Sequence, residues 1–149
     1  MLVYLLTRGM NSLKLMAKKS TLIQTIKIPK INDDCWLYFA EYPKHIPFKI
    51  ERIYYITQAK KNLPRGFHAH HKTRQVLFCI QGSIKMIFDD GKKKASIILK
   101  KPEIGVLIDK MVWHEMHQFS KDAILLVVAS APYDPKDYIR DYSDFKKRA

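Results

Sequence analysis

From Thr21 onward the chain is a succession of short apolar segments, rich in β-branched and aromatic residues and each ended by a turn signal. The segments TLIQTIKI, WLYFAEY, FKIERIYYIT, GFHAH, QVLFCIQG, SIKMIFD, KASIILK, GVLIDK, VWHEMHQF and AILLVVAS are strand-length and too short for ordinary helices. Their number and spacing predict an all-β sandwich or barrel. Gly82 in QGS and Gly91 in DDGKKK can take the positive φ of a tight reversal, so consecutive strands are expected to be antiparallel neighbours. Only the tail departs from the pattern. In YDPKDYIRDYSDFKKR, Asp134 can cap a helix, Pro135 suits its first turn and basic residues gather at its end, which predicts one short C-terminal helix.

At 149 residues the chain can bury one core and is too short for two ordinary ones. The expected division is a disordered N-terminal extension over 1–20, with Met10 and Met16 as alternative starts, and a single domain over 21–149. The apolar LVYLL near the start is shorter than a membrane span, and its charges follow it rather than precede it as in a signal peptide. Lys and Arg number 27 against 14 Asp and Glu, a formal charge of +13 that raises an anionic partner as a question. Much of the excess lies in lysine runs such as Lys92 to Lys94, the usual look of a solvated turn, and no nucleic-acid-binding signature accompanies it. Two cysteines, Cys35 and Cys79, lack CxxC spacing, which fits a reducing cytoplasm better than a disulfide framework or a zinc ribbon.

The stretch PRGFHAHHKTRQVLFCIQG places His68 and His70 on one face of a strand, and Arg52 and Tyr54 share a face of the strand before it. A lone histidine is more often a satisfied polar residue than a functional one. An H-x-H pair with Arg, Tyr and a further histidine is a candidate site. The spacing His68, His70, Gln75, Gly82 resembles the first motif of the cupin superfamily, and His114 in VWHEMHQF resembles the histidine of the second. Metal-binding cupins carry three His and one Glu. Here Gln75, a weaker neutral ligand, stands in the carboxylate's place, which ranks metal-dependent catalysis second.

A closer resemblance runs from about Ile46 to Phe145. IPFKIERIYYI, PRGFHAHHKTRQVLFCIQGSIKMIFDDG, VWHEMHQFSKDAILLVVAS and YDPKDYIRDYSDF are together similar to the sugar-nucleotide 3,4-ketoisomerases, which act on dTDP-4-keto-6-deoxyglucose. The resemblance implies a small cupin jelly-roll barrel, a homodimer, no metal or other cofactor, and a place in the synthesis of unusual deoxy or amino-deoxy sugars. It implies that His68 is the catalytic base and that His70 holds the ketone or enediol oxygen or assists proton delivery. Two departures stand out. Asp34 and Cys35 occupy the place of an Arg-Gly pair that shapes the sugar pocket, and His71 stands where many relatives have Lys, with Lys72 directly after.

The implied chemistry suits these residue types. Moving a carbonyl from carbon 4 to carbon 3 through an enediol requires a base near neutral pKa, and imidazole titrates at about 6.5 when unperturbed. Tyr54 offers a phenol that can donate and accept, suited to passing a hydroxyl proton between the two oxygens. Arg52 and Arg65 can grip the diphosphate, because a guanidinium presents a planar fork and stays charged. Lys72, Gln75 and His114 complete the expected substrate-binding set, while Trp113 reads as core. The rival readings are a sugar-nucleotide-binding cupin without catalysis and a metal-dependent cupin enzyme.

Overall fold

The computed structural model describes residues 21–149; the expected N-terminal extension lies outside them. The strands are β1 Gln24–Lys27, β2 Lys30–Asn32, β3 Trp36–Tyr38, β4 Arg52–Ile56, β5 Arg65–His70, β6 Gln75–Gln81, β7 Ile84–Asp89, β8 Lys94–Leu99, β9 Ile104–Ile108, β10 Trp113–His117, β11 Ile124–Ala129 and β12 Tyr138–Ile139. A 3-10 turn over Pro135–Asp137 precedes β12, and helix α1, Tyr142–Arg148, ends the chain.

Two five-stranded antiparallel sheets, in the orders β1-β9-β6-β11-β4 and β12-β5-β10-β7-β8, form a cupin jelly roll. Side chains alternate faces along a strand, so every second residue enters the space between the sheets. Leu77 and Cys79, Ile84, Met86 and Phe88, Val106 and Ile108, and Leu125 and Val127 make that common core. Strand β6 is also buried on its other face, where Val76 and Phe78 meet Ile46, Phe48 and Ile28, which explains its near-continuous apolar sequence. Among the described residues no helix is long and apolar enough to cross a membrane.

Two expectations are corrected. Gly82 does take a positive φ of 71°, but QGS joins no hairpin, since β6 and β7 lie in different sheets. The glycine turns a corner. Of the strand pairs adjacent in sequence, only β2 with β3 and β7 with β8 are neighbours in a sheet. The second correction concerns the tail. Asp134 caps only the 3-10 turn, and α1 begins later, with Asp141 accepting from the Asp144 amide. Between them β12 adds to the edge of β5, with Ile139 in a cluster of Ala69, Trp113 and Phe145, and Tyr138 set opposite His70. Period-two burial at an open sheet edge outweighs the helical look of this stretch.

Candidate active site

A cavity of about 570 Å³ is lined by residues of both sheets and of the C-terminal tail. The first sheet supplies Arg52 and Tyr54 from β4, the second supplies Arg65, Gly66 and His68 from β5, and the tail adds Tyr133, Tyr138 and Arg140. The local shape of β5 comes from its sequence. Gly66 and Phe67 both have positive φ, 90° and 55°, and the register against β10 shifts between His114 and Glu115. This is a bulge. Only glycine fits its first position, since a Cβ on Gly66 would stand 2.7 Å from the His114 carbonyl oxygen. Beyond the bulge His68 pairs with His114, so their rings are cross-strand neighbours 4.4 Å apart.

His70 follows on the same face, its ring 5.0 Å from that of His68 and 4.5 Å from that of Tyr138. Nitrogens of His68, His70 and His114 lie within 4.8 Å of one another. Each ring is held by its Nδ1. That of His68 donates to the Gly66 carbonyl at 2.9 Å, that of His114 to the Val112 carbonyl at 3.3 Å, and that of His70 to the Asp137 carboxylate at 3.0 Å. A carbonyl or ionised carboxylate can only accept, which assigns the proton to Nδ1 and leaves each Nε2 with a free lone pair. In His70, Nε2 is buried and has no partner among the described residues.

Burial holds all three imidazoles below their ordinary value. For His68 it outweighs the Gly66 carbonyl. It brings His70 to about 4, with help from neighbouring His68 and against the opposing pull of Asp137, and it carries His114 well below the usual range. The cluster is therefore neutral at pH 7 and able to accept a proton. Tyr54 is pushed up to about 12, chiefly by burial, with Tyr138 adding to it and Arg52 and the hydrogen bond from Gln75 opposing. Its phenol keeps its proton and can relay one.

The sequence-derived residues divide in the structure. Arg52, Tyr54, Arg65 and His68 line the cavity, Arg52 lying 5.5 Å from the Tyr54 ring and 5.8 Å from that of Tyr133. His70 and His114 do not line it; they are packed against His68, each 2% exposed. Gln75 is buried and supports the site from below, its Nε2 donating to the Tyr54 oxygen at 3.2 Å while its Oε1 has no partner among the described residues. Lys72 is not brought in; its side chain is exposed and faces Asp134 at 3.7 Å. Sequence reasoning missed Tyr138, Arg140 and Asp137. Arg140 stacks on Tyr138 at 4.5 Å over the cavity, and Asp137 backs His70. The alternation of DYIR was the available signal, masked by the helical reading of the tail.

Three imidazoles at this spacing could hold a divalent ion, but their cluster contains no carboxylate, since Asp137 engages the outer nitrogen of His70. The donor set is poorer than a cupin metal site with its acidic ligand.

The family model described as FdtA: WxcM-like, C-terminal matches residues 20–149. A curated TDP-4-oxo-6-deoxy-alpha-D-glucose-3,4-oxoisomerase of Aneurinibacillus thermoaerophilus is 51% identical over 111 residues, 74% of this chain and 80% of its own. The crystal structure of a 3,4-ketoisomerase from Helicobacter canadensis is 43% identical, with a TM-score of 0.82 over 85% of this chain and 96% of that one. QdtA, a sugar 3,4-ketoisomerase of Thermoanaerobacterium thermosaccharolyticum in complex with TDP, is 40% identical, with a TM-score of 0.83 over 86% and 94%. A histidine-to-asparagine variant of QdtA is known in complex with TDP-4-keto-6-deoxyglucose.

Proposed function

The chain belongs to the FdtA-like family and is a sugar 3,4-ketoisomerase, and we propose that its substrate is a dTDP-linked 4-keto-6-deoxyhexose whose carbonyl it moves to carbon 3 without a metal. The observation that carries the mechanistic reading is a cluster of three neutral imidazoles whose member His68 lines a cavity shared with a protonated tyrosine and with Arg52 and Arg65. His68, which lines the cavity, takes the carbon 3 proton at Nε2, and the electron pair passes into an enediolate. The same imidazolium returns a proton to carbon 4. Tyr54 moves the hydroxyl proton between the two oxygens, and its low acidity keeps the relay proton in place. Arg52 and Arg65 bind the diphosphate at the rim, Gln75 offers its buried Oε1 to a substrate hydroxyl, and His114 fixes the orientation of His68. Lys72 has no contact that supports a substrate role.

A second assignment has its own support. The Nε2 of His70 is buried and unpartnered, and its Nδ1 rests on a carboxylate, so His70 can itself be the proton acceptor. The homodimer implied by the family resemblance gains support from Ile53 and Tyr55 of β4, 62% and 71% exposed, and from Ile80 at 42%. Free Cys35 and Cys79 are consistent with a cytoplasmic setting.

Incubation with dTDP-4-keto-6-deoxyglucose, followed by NMR in the presence of a strong chelator, tests the reaction. The expected outcome is conversion to the 3-keto sugar at an undiminished rate. Unchanged substrate would favour a binding cupin, and activity restored only by added divalent metal would favour the metal-dependent rival. His68→Asn and His70→Asn, compared for turnover and for dTDP binding, decide which imidazole accepts the proton.

A further inference from the structure

The carboxylate of Asp137 sits 4% exposed beneath the histidine cluster and is surrounded only by donors. His70 Nδ1 donates to Oδ2 at 3.0 Å, the amide of Lys72 to Oδ1 at 2.9 Å, the amide of Thr73 to Oδ2 at 3.3 Å, and the Thr73 hydroxyl also to Oδ2. The Asp137 carbonyl accepts from the His71 amide at 3.0 Å, so the turn is tied to residues 71–73 by both backbone and side chain. Four donors and no acceptor define a site that only an ionised carboxylate satisfies completely. An amide in its place would turn its NH₂ group toward at least one donor.

A carboxylate could be buried here merely to anchor the tail, and the three bonds to Lys72 and Thr73 would suffice for that. The fourth bond is different. It runs to the one histidine of the cluster whose Nε2 is buried and without a partner, from a residue 67 positions away in sequence. A negative charge on Nδ1–H holds the ring in one tautomer and favours a positive charge on it, whereas the carbonyls behind His68 and His114 supply only dipoles. We infer that Asp137 is a positioning residue of the isomerisation, acting through His70: it holds that ring as the Nδ1–H tautomer, so that the Nε2 lone pair stays available to His68, the base that carries the carbon 3 proton while the enediolate exists. The C–H bond at carbon 3 breaks, the N–H bond at His68 Nε2 forms, and the electron pair moves to the ketone oxygen, which takes the hydroxyl proton of carbon 3 through Tyr54; on return the N–H bond breaks and the C–H bond at carbon 4 forms. The inference rests on the proposed proton transfer by His68 with His70 beside it.

The experiment combines kinetics of Asp137→Asn with NMR of protein labelled with ¹⁵N-histidine. In the wild type, His70 is expected as the Nδ1–H tautomer with a downfield Nδ1 proton that marks its bond to a carboxylate. In Asp137→Asn that proton should move upfield and kcat should fall by about a hundredfold or more, with KM and dTDP affinity within about threefold of wild type. A purely structural role would lower the melting temperature and leave kcat of the folded fraction intact, and that result overturns the inference. So does a wild-type spectrum showing His70 protonated at Nε2 in the free enzyme, a measurement independent of whether the variant folds. Failure of the underlying mechanism is distinguishable, because there both His68→Asn and His70→Asn would retain turnover.

Discussion

At the scale of single residues, position decides what a positive charge does. Arg52 and Arg65 line the cavity, whereas Lys92, Lys93 and Lys94 stand exposed at the β7–β8 turn. A hydrogen bond to a charged group contributes about 1.5–3 kcal/mol, so Arg52→Ala or Arg65→Ala should weaken dTDP binding by roughly one to two decades. Neutralising the three lysines together should have a much smaller effect, because exposed charges are screened over a Debye length of about 8 Å. Calorimetry at fixed ionic strength makes the comparison. Equal losses from the two sets of variants would show a diffuse attraction in place of a diphosphate site.

At the scale of elements, the site depends on how strands are bent and turned. The bulge at Gly66 and Phe67 aligns His68 with His114, and the corner at Gly82 sends the chain from one sheet to the other. At Gly82 the φ is 71°, and an added Cβ would lie 2.2 Å from the Ser120 hydroxyl and 2.9 Å from the Ala123 Cα. The hydroxyl can rotate away; the backbone cannot. Gly82→Ala should therefore cost about 1–2 kcal/mol from the left-handed backbone alone, with the contact adding to it. Denaturant unfolding is the check, and an unchanged midpoint would show that the corner relaxes freely. Binding of dTDP by the folded variant should be unaffected, since Gly82 does not line the cavity.

At the scale of the whole molecule, burying three imidazoles couples stability to pH. In the unfolded chain these groups take up protons as the pH falls through about 6.5, while in the folded protein all three do so later, His70 only near 4. The unfolded state thus binds more protons across that window, and stability falls with pH. Asp137 acts in the same direction further down: burial raises its carboxyl, but the bonds from Thr73, Lys72 and His70 outweigh it and hold the group below its ordinary value. The melting temperature should be level above pH 6.5 and drop steadily from there toward 4. A flat profile over that range would mean that the cluster is hydrated and charged.

The sequence alone determined the architecture and half of the site, because both are written in local periodicity. Alternation along a strand set His68 beside His70 and Arg52 beside Tyr54, and the tail apart, the strand-length segments became the strands of a jelly roll. What only the tertiary structure decided is which strands become neighbours and what lies behind each functional group. QGS reads as a hairpin until the two sheets are seen to compete for β6 and β7, and the start of the tail reads as part of the C-terminal helix until the open edge of β5 is there to receive it as β12, ahead of α1. Lys72 looks like part of the site by its adjacency to the histidines, yet its side chain leaves the cavity because the backbone turns there to meet Asp137. The carboxylate that orients His70 comes from 67 residues downstream, and no spacing rule spans such a distance. Local pattern fixes the face on which a side chain emerges. Packing between distant segments fixes what that side chain meets.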